Sequence, residues 1–305
     1  MSDNRPPGAG DAPHTPAPTR VLVTGAGGLL GRAVLAHLRE HGIAATALER
    51  SDPGDLPADR VHTGDAGDPD TVRPALADAD AVIHLAALPT PTHGTPLEVF
   101  SGNTRATFTV LEEAGRAGVR RAMIASSYSV LGLTYSTTGA RPPYYPLDTD
   151  TPLQASDPYA LSKQVDEVTA ATMTRRHGMT TVAVRYPFVS DARRMAAHRA
   201  ADTARPGLLA AESWSYLDVH DAARAALLAV RAPLTGHHVI FVAAPHTLAD
   251  RPTEELIATH HPTTPVRRPI PGRTTPIDLA PAQDLLGFTA RDTEPVPEPD
   301  DGLCA

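Results

Sequence analysis

Short apolar runs alternate with longer stretches in which apolar residues recur every three or four positions, from residue 20 to about residue 186. The short runs are typical of buried strands, and the longer stretches are typical of amphipathic helices. Glycines at positions 42, 118 and 178 follow three of the helical stretches, where a residue in the left-handed conformation commonly ends a helix. The pattern predicts strands at 21–23, 43–48, 61–62, 81–85, 121–125 and 181–185, and helices at 29–41, 69–77, 96–117 and 158–177.

Strands that alternate with helices in this way form βαβ units with parallel strands. We therefore expect an α/β fold, a Rossmann-like doubly wound parallel sheet, over residues 20–186. The pattern then loosens to a helix at about 219–230, a strand at 239–242 and a weak helix at 253–259. Prolines between 262 and 281 exclude long elements there, so residues 187–290 are expected to form a small lid integrated with the core.

Composition narrows the classes of partner. Residues 1–19 are rich in Pro, Ala, Gly and Asp without the apolar stretch of a secretory signal, and we expect them, like the acidic and Pro-rich tail at 291–305, to be disordered. No apolar run is long enough to span a membrane, and a net charge of −8 without a basic stripe disfavours nucleic acid. The single cysteine, Cys304, cannot form an internal disulfide, which fits a cytoplasmic location.

A glycine-rich turn follows the first predicted strand and opens the first predicted helix. Its glycines are spaced G-x-x-G-x-x-G, at Gly25, Gly28 and Gly31. The first permits a tight turn, the second lets the backbone approach a pyrophosphate, and the third lets the helix pack on the strand. Because a helix N-terminus offers free N–H groups and a positive dipole to phosphates, the motif predicts a dinucleotide site that includes Leu29 and Leu30.

Residues after the second and third strands bear on the choice of dinucleotide. Glu49 ends the second strand, where a carboxylate can accept hydrogen bonds from both ribose hydroxyls and so favours NAD. Arg50, beside it, could instead meet a 2′-phosphate, so NADP stays possible. Asp65, next to Ala66, is either a contact of the adenine amino group or a plain loop aspartate.

The strongest chemical signal is Tyr159 with Lys163, which is the only lysine among 27 Lys and Arg residues. Residues i and i+4 of a helix share one face. An ammonium near a phenol favours the phenolate, so this pair could move a proton to or from a carbinol oxygen while hydride moves to or from NAD. The same lysine could donate to the nicotinamide ribose. Of three serines at the end of the fifth strand, Ser127 is best placed to hold the carbonyl oxygen.

Together these motifs resemble the extended short-chain dehydrogenase/reductases of the NAD-dependent epimerase/dehydratase type. The resemblance implies a catalytic triad of Ser127, Tyr159 and Lys163, a small-molecule substrate, and a homodimer formed through helices at about 97–117 and 158–177. It also assigns further residues to the cofactor site, namely Leu85, Ala86, Ala87, Asn103, Lys163 and Tyr186. For Asn103, in the long helix predicted at 96–117, it equally implies a structural or substrate contact near the active site. The matching segments are Thr24-Gly25-x-x-Gly28-x-x-Gly31, His84-Leu85-Ala86-Ala87, Ser126-Ser127-x-x-Val130-x-Gly132, Tyr159-x-x-x-Lys163, Arg185-Tyr186 and Tyr216-Leu217-Asp218-Val219-x-Asp221.

Departures from the family pattern limit the substrate. Tyr128 and Ser129 stand where family dehydratases carry an acidic pair, and Phe188 stands where sugar-nucleotide epimerases carry Asn. Both departures favour a compact hydroxylated substrate without a nucleotide. Candidate contacts in the substrate-binding lid and beside the triad are Ser127, Tyr128, Phe188 and Arg194, although for Arg194 a solvated helix face is the favoured interpretation. The fourteen histidines show no ligand spacing, so no metal is expected.

The sequence therefore favours an NAD(P)-dependent oxidoreductase that acts on a secondary alcohol or ketone of a sugar-like molecule. A sugar or sugar-nucleotide epimerase with tightly bound NAD is the first alternative. A non-catalytic dinucleotide-sensing protein is the second, and the tyrosine–lysine pair disfavours it.

Overall fold

A computed structural model of the protein describes residues 17–52, 54–204 and 207–291. Most of the two segments expected to be disordered, including Cys304, lies outside these described residues. The main element is a seven-stranded sheet in the order β3-β2-β1-β4-β5-β6-β9, in which every neighbouring pair is parallel. Its strands are β1 (Arg20–Thr24), β2 (Ala44–Glu49), β3 (Arg60–Thr63), β4 (Ala81–His84), β5 (Arg121–Ser127), β6 (Thr180–Tyr186) and β9 (His237–Phe241).

Helices cover both faces of this sheet, which confirms the predicted doubly wound α/β fold. Alternate residues of each strand point to opposite faces, so Val21 and Val23 pack under one layer of helices and Leu22 under the other. One layer contains α1 (Leu29–Glu40), α6 (Val219–Arg231) and α8 (Ala280–Leu286). The other contains α2 (Pro69–Ala75), α3 (Pro96–Arg116) and α4 (Pro158–His177).

Elements after residue 186 occupy two places. α6 and β9 complete the main sheet and its helical layer, whereas β7 (Phe188–Ser190) and β8 (Tyr216–Asp218) form a separate parallel pair. α5 (Ala192–Ala204) and α7 (Thr253–His260) accompany that pair. A second apolar cluster around Trp214 and Tyr145 joins this region to the loops that follow β5. The division of the chain at residue 186 stays a prediction about its domains.

Local signals explain where the two long helices begin. Thr95 and Glu98 form a capping box before α3, since each side chain accepts a hydrogen bond from the other residue's backbone N–H. Asp157 caps α4 by accepting from the N–H groups of Tyr159 and Ala160, and Gly178 ends that helix in the left-handed conformation. Of the helices that the structure describes, none is long and apolar enough to cross a membrane.

Candidate active site

A pocket of about 720 Å³ lies at the carboxyl edge of the sheet, where the strand order reverses between β1 and β4. Open α/β sheets bind their ligands at this kind of switch point. We call it the glycine-turn pocket. The structure brings thirteen of the predicted cofactor residues to its wall: Gly25, Gly28, Leu29, Leu30, Gly31, Glu49, Arg50, Asp65, Ala66, Leu85, Ala86, Ala87 and Asn103.

The backbone of the glycine turn has the shape that a pyrophosphate requires. Gly25 has φ +65°, and a Cβ at this position would lie 2.8 Å from the backbone N of Ala86. Gly28 is the N-cap of α1, and the first turn of this helix has neither a side-chain cap nor an acidic residue. The helix N-terminus is therefore open toward the pocket, and these residues fit a dinucleotide phosphate group.

Acidic side chains at the far end of this pocket are already hydrogen-bonded. The Glu49 carboxylate accepts from the N–H of Gly27 at 2.8 Å and from the N–H of Arg50 at 2.9 Å. Asp65 accepts from the N–H of Gly67 at 2.7 Å and forms an ion pair with Arg105 at 2.8 Å. The partner of Asp65 was not foreseen from the sequence, and it gives this carboxylate a structural role in the loop after β3.

A second cavity, of about 400 Å³, adjoins the first, and we call it the tyrosine cavity. The two share wall residues at Leu30, Leu85, Ala87, Pro89 and Ala125. Besides Leu30, Leu85 and Ala87, the structure brings six further predicted site residues to this cavity: Ser127, Tyr128, Tyr159, Lys163, Tyr186 and Phe188. Arg194 is not among its lining residues, since it lies exposed on α5.

Tyr159 and Lys163 lie on the first turns of α4, both nearly fully buried. The Lys163 Nζ atom lies 5.8 Å from the centre of the Tyr159 ring and donates a hydrogen bond to the Ala125 carbonyl at 2.9 Å. A carboxylate oxygen of Asp166 lies 3.3 Å from the same Nζ. Burial acts to lower the pKa of Lys163, but the negative charge of Asp166, with smaller contributions from Tyr159 and Glu167, outweighs burial and raises it. Lys163 is therefore held as an ammonium.

Hydrogen bonds separate the serines at the end of β5. The Ser126 hydroxyl donates to Glu167 at 2.6 Å, and Arg185 donates two further bonds to the same carboxylate, at 2.9 Å each. Ser127 accepts from the N–H of Ser129 at 3.0 Å and starts the 3-10 turn that follows β5. Ser126 is thus engaged in a buried ion-pair network, which leaves Ser127 as the better candidate for contact with a ligand.

A match to a known protein family covers most of the chain. The profile of the NAD dependent epimerase/dehydratase family matches residues 21–244. The chain belongs to this family. The match includes the glycine turn, the tyrosine–lysine pair and the elements β7 and β8, and it confirms the resemblance drawn from the sequence motifs.

Individual relatives share a modest sequence identity with this chain. A UDP-glucose 4-epimerase of Azospirillum brasilense is 31% identical over 59% of this chain and 51% of its own length. A uronate dehydrogenase of Pseudomonas syringae pv. tomato is 29% identical over 54% of this chain and 58% of its own length. The chain thus spans little more than half of these relatives. The structure of MoeE5 in complex with UDP-glucuronic acid and NAD is 26% identical, with a TM-score of 0.67 over 89% of this chain and 94% of MoeE5.

Two residues that the family resemblance assigned to the cofactor site form hydrogen bonds with the backbone of neighbouring elements. Asn103 links α3 to the loop after β4, because its side chain accepts from the N–H of Leu88 at 2.8 Å and donates to the Leu88 carbonyl at 3.2 Å. The Tyr186 hydroxyl donates to the Ala222 carbonyl at 3.0 Å, and burial raises the pKa of Tyr186. Both side chains shape the walls of their pockets.

Three residues of the tyrosine cavity or its border escaped the sequence argument. Tyr135 packs edge-on against Tyr159 with ring centres 6.2 Å apart, and burial raises the pKa of Tyr135 to about 12. Glu212 lines the cavity, and Asp166 pairs with Lys163. Asp166 could have been found from its i+3 spacing to Lys163, but no local signal marks Tyr135 or Glu212.

One group of side chains outside both cavities has donor atoms close enough to hold a metal ion. His37, Glu40 and His41 lie at the end of α1, with potential ligand atoms within 4.8 Å of one another. The expectation of no metal, which rested on the spacing of all fourteen histidines, overlooked this group and stays a prediction.

Proposed function

We propose that this protein transfers a hydride between NAD and a secondary alcohol or ketone of a small, sugar-like hydroxylated substrate. The observation that carries the proposal is the shared wall between the two cavities. It sets Tyr159 and Lys163 beside the pocket in which the glycine turn would hold the dinucleotide. The NAD dependent epimerase/dehydratase family and the NAD complex of MoeE5 support the same cofactor.

The chemistry follows from the residues around Tyr159. NAD, when bound, supplies the hydride acceptor or, when reduced, the donor. The Ser127 hydroxyl would donate to the substrate oxygen and orient it toward Tyr159. The Tyr159 hydroxyl would then pass a proton to or from that oxygen. The Lys163 ammonium, 5.8 Å from the centre of the Tyr159 ring, would attract the phenolate that forms when Tyr159 gives up its proton.

NAD is favoured over NADP by the carboxylate of Glu49. This group lines the glycine-turn pocket at the end of β2, where it would accept hydrogen bonds from a ribose and repel a 2′-phosphate. Arg50, the possible partner of a 2′-phosphate, is exposed at the rim of the same pocket.

Replacing the proposed acid/base tests the mechanism. Tyr159→Phe removes one hydroxyl and should lower kcat about 100-fold to 10,000-fold, the usual contribution of general acid–base catalysis. NAD affinity, measured by calorimetry, should stay within about threefold, because the glycine turn is untouched. The matched control is Tyr144→Phe, which removes a hydroxyl that donates to Asp148 outside both cavities. Full activity of Tyr159→Phe would show that Tyr159 is not the acid/base, whereas NAD binding without turnover of any substrate by the parent protein would favour the dinucleotide-sensing alternative.

An epimerase is the second candidate, because curated relatives include UDP-glucose 4-epimerases. Epimerisation would oxidise and re-reduce one carbon while NAD stays bound. Tightly bound NAD in the purified protein, with turnover that produces no net reduced nicotinamide, would favour the epimerase. Stoichiometric formation of reduced nicotinamide would favour the dehydrogenase.

A homodimer would bury an apolar surface on α3 and α4. Leu97 and Phe108 are 72% and 52% exposed on α3, and Leu161 and Val168 are 45% and 64% exposed on α4. Within each pair the spacing, 11 or 7 residues, returns the side chain to nearly the same side of the helix. We call these four residues the helix-pair surface.

A cytoplasmic location is also part of the proposal, on the basis of the single cysteine.

Light scattering after size-exclusion chromatography tests the dimer. Phe108→Glu together with Val168→Glu should shift the parent protein from dimer to monomer, since two charges would be buried in each half of the interface. The matched control, Val61→Glu, changes an apolar residue of similar exposure (46%) on β3. A monomeric parent, or a double variant that stays dimeric, would contradict this interface.

A further inference from the structure

The tyrosine cavity has an unusual charge balance for a pocket that would hold a sugar derivative. Of the described residues that line it, only Lys163 and Glu212 carry a formal charge. Lys163 already has Asp166 and the Ala125 carbonyl as partners. The unbalanced charge that a substrate would meet is therefore the negative charge of Glu212.

The backbone that follows Glu212 has an unfavourable conformation, which buried hydrogen bonds hold in place. It ends the 3-10 turn Leu209–Glu212, and the next two residues, Ser213 and Trp214, are fully buried with φ of +49° and +54°. Residues other than glycine adopt such angles at a cost, and they concentrate at functional sites. The Ser213 hydroxyl shares hydrogen bonds with the hydroxyls of Tyr128, at 2.7 Å, and Tyr145, at 2.9 Å.

Glu212 lines the cavity beside an aromatic surface. Its Oε2 atom lies 3.5 Å from the His198 Nε2 atom, and 20% of its side chain remains exposed. The His198 ring stacks on Phe188, with ring centres 4.3 Å apart and an angle of 28° between the planes. Phe188 also lines the cavity. An apolar ring beside a carboxylate suits the C–H face and the hydroxyl edge of a carbohydrate.

We infer that Glu212 determines substrate specificity by accepting hydrogen bonds from hydroxyl or ammonium groups and by excluding substrates that carry a carboxylate or phosphate. The inference rests on the proposed function. A carboxylate is an acceptor only, so it pairs with hydroxyl or ammonium donors, whereas a second anion in a poorly solvated cavity is repelled. Specificity built on repulsion of the wrong partner is common in binding sites. The substrate is then a neutral polyol, a neutral sugar or an amino sugar, and not a uronate or sugar phosphate.

A charge series on one carbon skeleton tests the inference. Glucose, glucosamine, glucuronate and glucose 6-phosphate are compared on the NAD-loaded full-length protein, by calorimetry for binding and by nicotinamide reduction for turnover. All assays are run at pH 7, where the amino group of glucosamine is largely protonated. The neutral and ammonium members should bind at least tenfold more tightly than the two anions. Glu212→Gln should reduce that ratio at least tenfold, and Glu255→Gln, at an exposed position of α7, should leave it unchanged.

The outcomes separate this inference from the proposed function. Charge selection in binding that Glu212→Gln removes supports the inference even if no nicotinamide is reduced, a result that would overturn only the proposed hydride transfer. Equal or tighter binding of the anions, an unchanged ratio in Glu212→Gln, or no binding by any member overturns the inference. If Glu212→Gln fails to fold, Glu212→Asp keeps the charge and should keep the selection, and its loss in a folded Glu212→Asp protein would also overturn the inference.

Discussion

At the residue scale, the pairing of Lys163 with Asp166 sets this site apart from a lone tyrosine–lysine motif. The pair is buried, with side chains 6% and 2% exposed, and its atoms lie 3.3 Å apart. The second oxygen of Asp166 has no hydrogen-bond partner within the described part of the chain. The main role of this carboxylate is therefore to hold the ammonium in place and keep it charged.

Asp166→Asn should destabilise the protein and change its response to alkali. Removal of one partner of a buried ion pair leaves the other uncompensated, so the free energy of unfolding should fall by about 3 kcal/mol, as measured by urea denaturation. Because the carboxylate raises the pKa of Lys163, its loss lets burial lower that pKa. The alkaline limb of the kcat profile should therefore move to lower pH.

An exposed pair with the same spacing provides the control for this variant. Asp70 and Arg73 are also three residues apart, on α2, but Asp70 is 85% exposed. Surface pairs contribute little, so Asp70→Asn should leave both stability and the pH profile close to those of the parent. An Asp166→Asn protein with an unmoved alkaline limb would show that Asp166 does not control the charge of Lys163.

The residue scale also shows what spacing alone can reveal. Tyr159 and Lys163 were identified because a four-residue interval on one helix specifies a shared face, and the structure places both in one cavity. Tyr135 and Glu212 line the same cavity, but they come from a loop and a short 3-10 turn that carry no motif. Their approach to Tyr159 depends on tertiary packing, which the sequence pattern does not encode locally.

At the element scale, prediction succeeded where length and capping signals agreed. The predicted bounds of α4, residues 158–177, are those of the structure, because Asp157, Pro158 and Gly178 mark both ends. β7 and β8 were not predicted, since strands of three residues are too short to show alternation. α8 was missed because it begins at the end of the proline-rich stretch that was expected to lack long elements.

The close contact between Gly31 of α1 and Gly25 of the glycine turn can be tested by substitution. A Cβ at Gly31 would lie 2.2 Å from the Gly25 carbonyl oxygen, whereas a Cβ at Gly28 would come no closer than 3.4 Å. Gly31→Ala should therefore push α1 away from the turn at Gly25 and Ala26, lower the free energy of unfolding by about 3 kcal/mol and weaken NAD binding. Denaturant unfolding and calorimetry measure the two effects.

Gly28→Ala is the matched control for stability. Gly28 has φ −70° and ψ 170°, which an alanine adopts without strain, so its free energy of unfolding should change by less than about 1 kcal/mol. Equal losses of stability in the two variants would contradict the packing argument for Gly31.

At the scale of the whole molecule, the sequence predicted the sheet and its helical layers better than the contacts between residues that are distant in the chain. The strand predicted at 239–242 corresponds to β9, which pairs with β6 as the seventh strand of the main sheet. Ser213 meets Tyr128 and Tyr145, 85 and 68 residues earlier in the chain. Such contacts follow from the packing of the second apolar cluster as a unit, and they connect the turn at Glu212 with the loops after β5.

The buried His84 makes the stability of the whole fold sensitive to acid. Its ring is hydrogen-bonded to Thr24 of β1 at 2.7 Å and to Thr107 of α3 at 3.1 Å, so it ties the sheet to a helical layer. Burial, with a smaller contribution from the positive charge of Lys163, lowers the pKa of His84 from 6.5 to about 3. The imidazole therefore stays neutral in the folded protein at a pH where an unfolded chain would already bind a proton.

The sign of the effect follows from this difference in proton binding. Above pH 6.5 neither state protonates His84, and its contribution is fully present. Between pH 6.5 and about 3 the unfolded state binds one more proton, so stability falls by about 1.4 kcal/mol per pH unit, or about 2 kcal/mol at pH 5. His84→Gln should have a somewhat lower free energy of unfolding than the parent at pH 8. Below pH 6.5, however, its free energy of unfolding should fall less steeply with decreasing pH, by about 1.4 kcal/mol per pH unit. Urea unfolding at half-unit steps from pH 5 to 8 measures both slopes, and parallel curves for the two proteins would mean that His84 does not link protonation to unfolding.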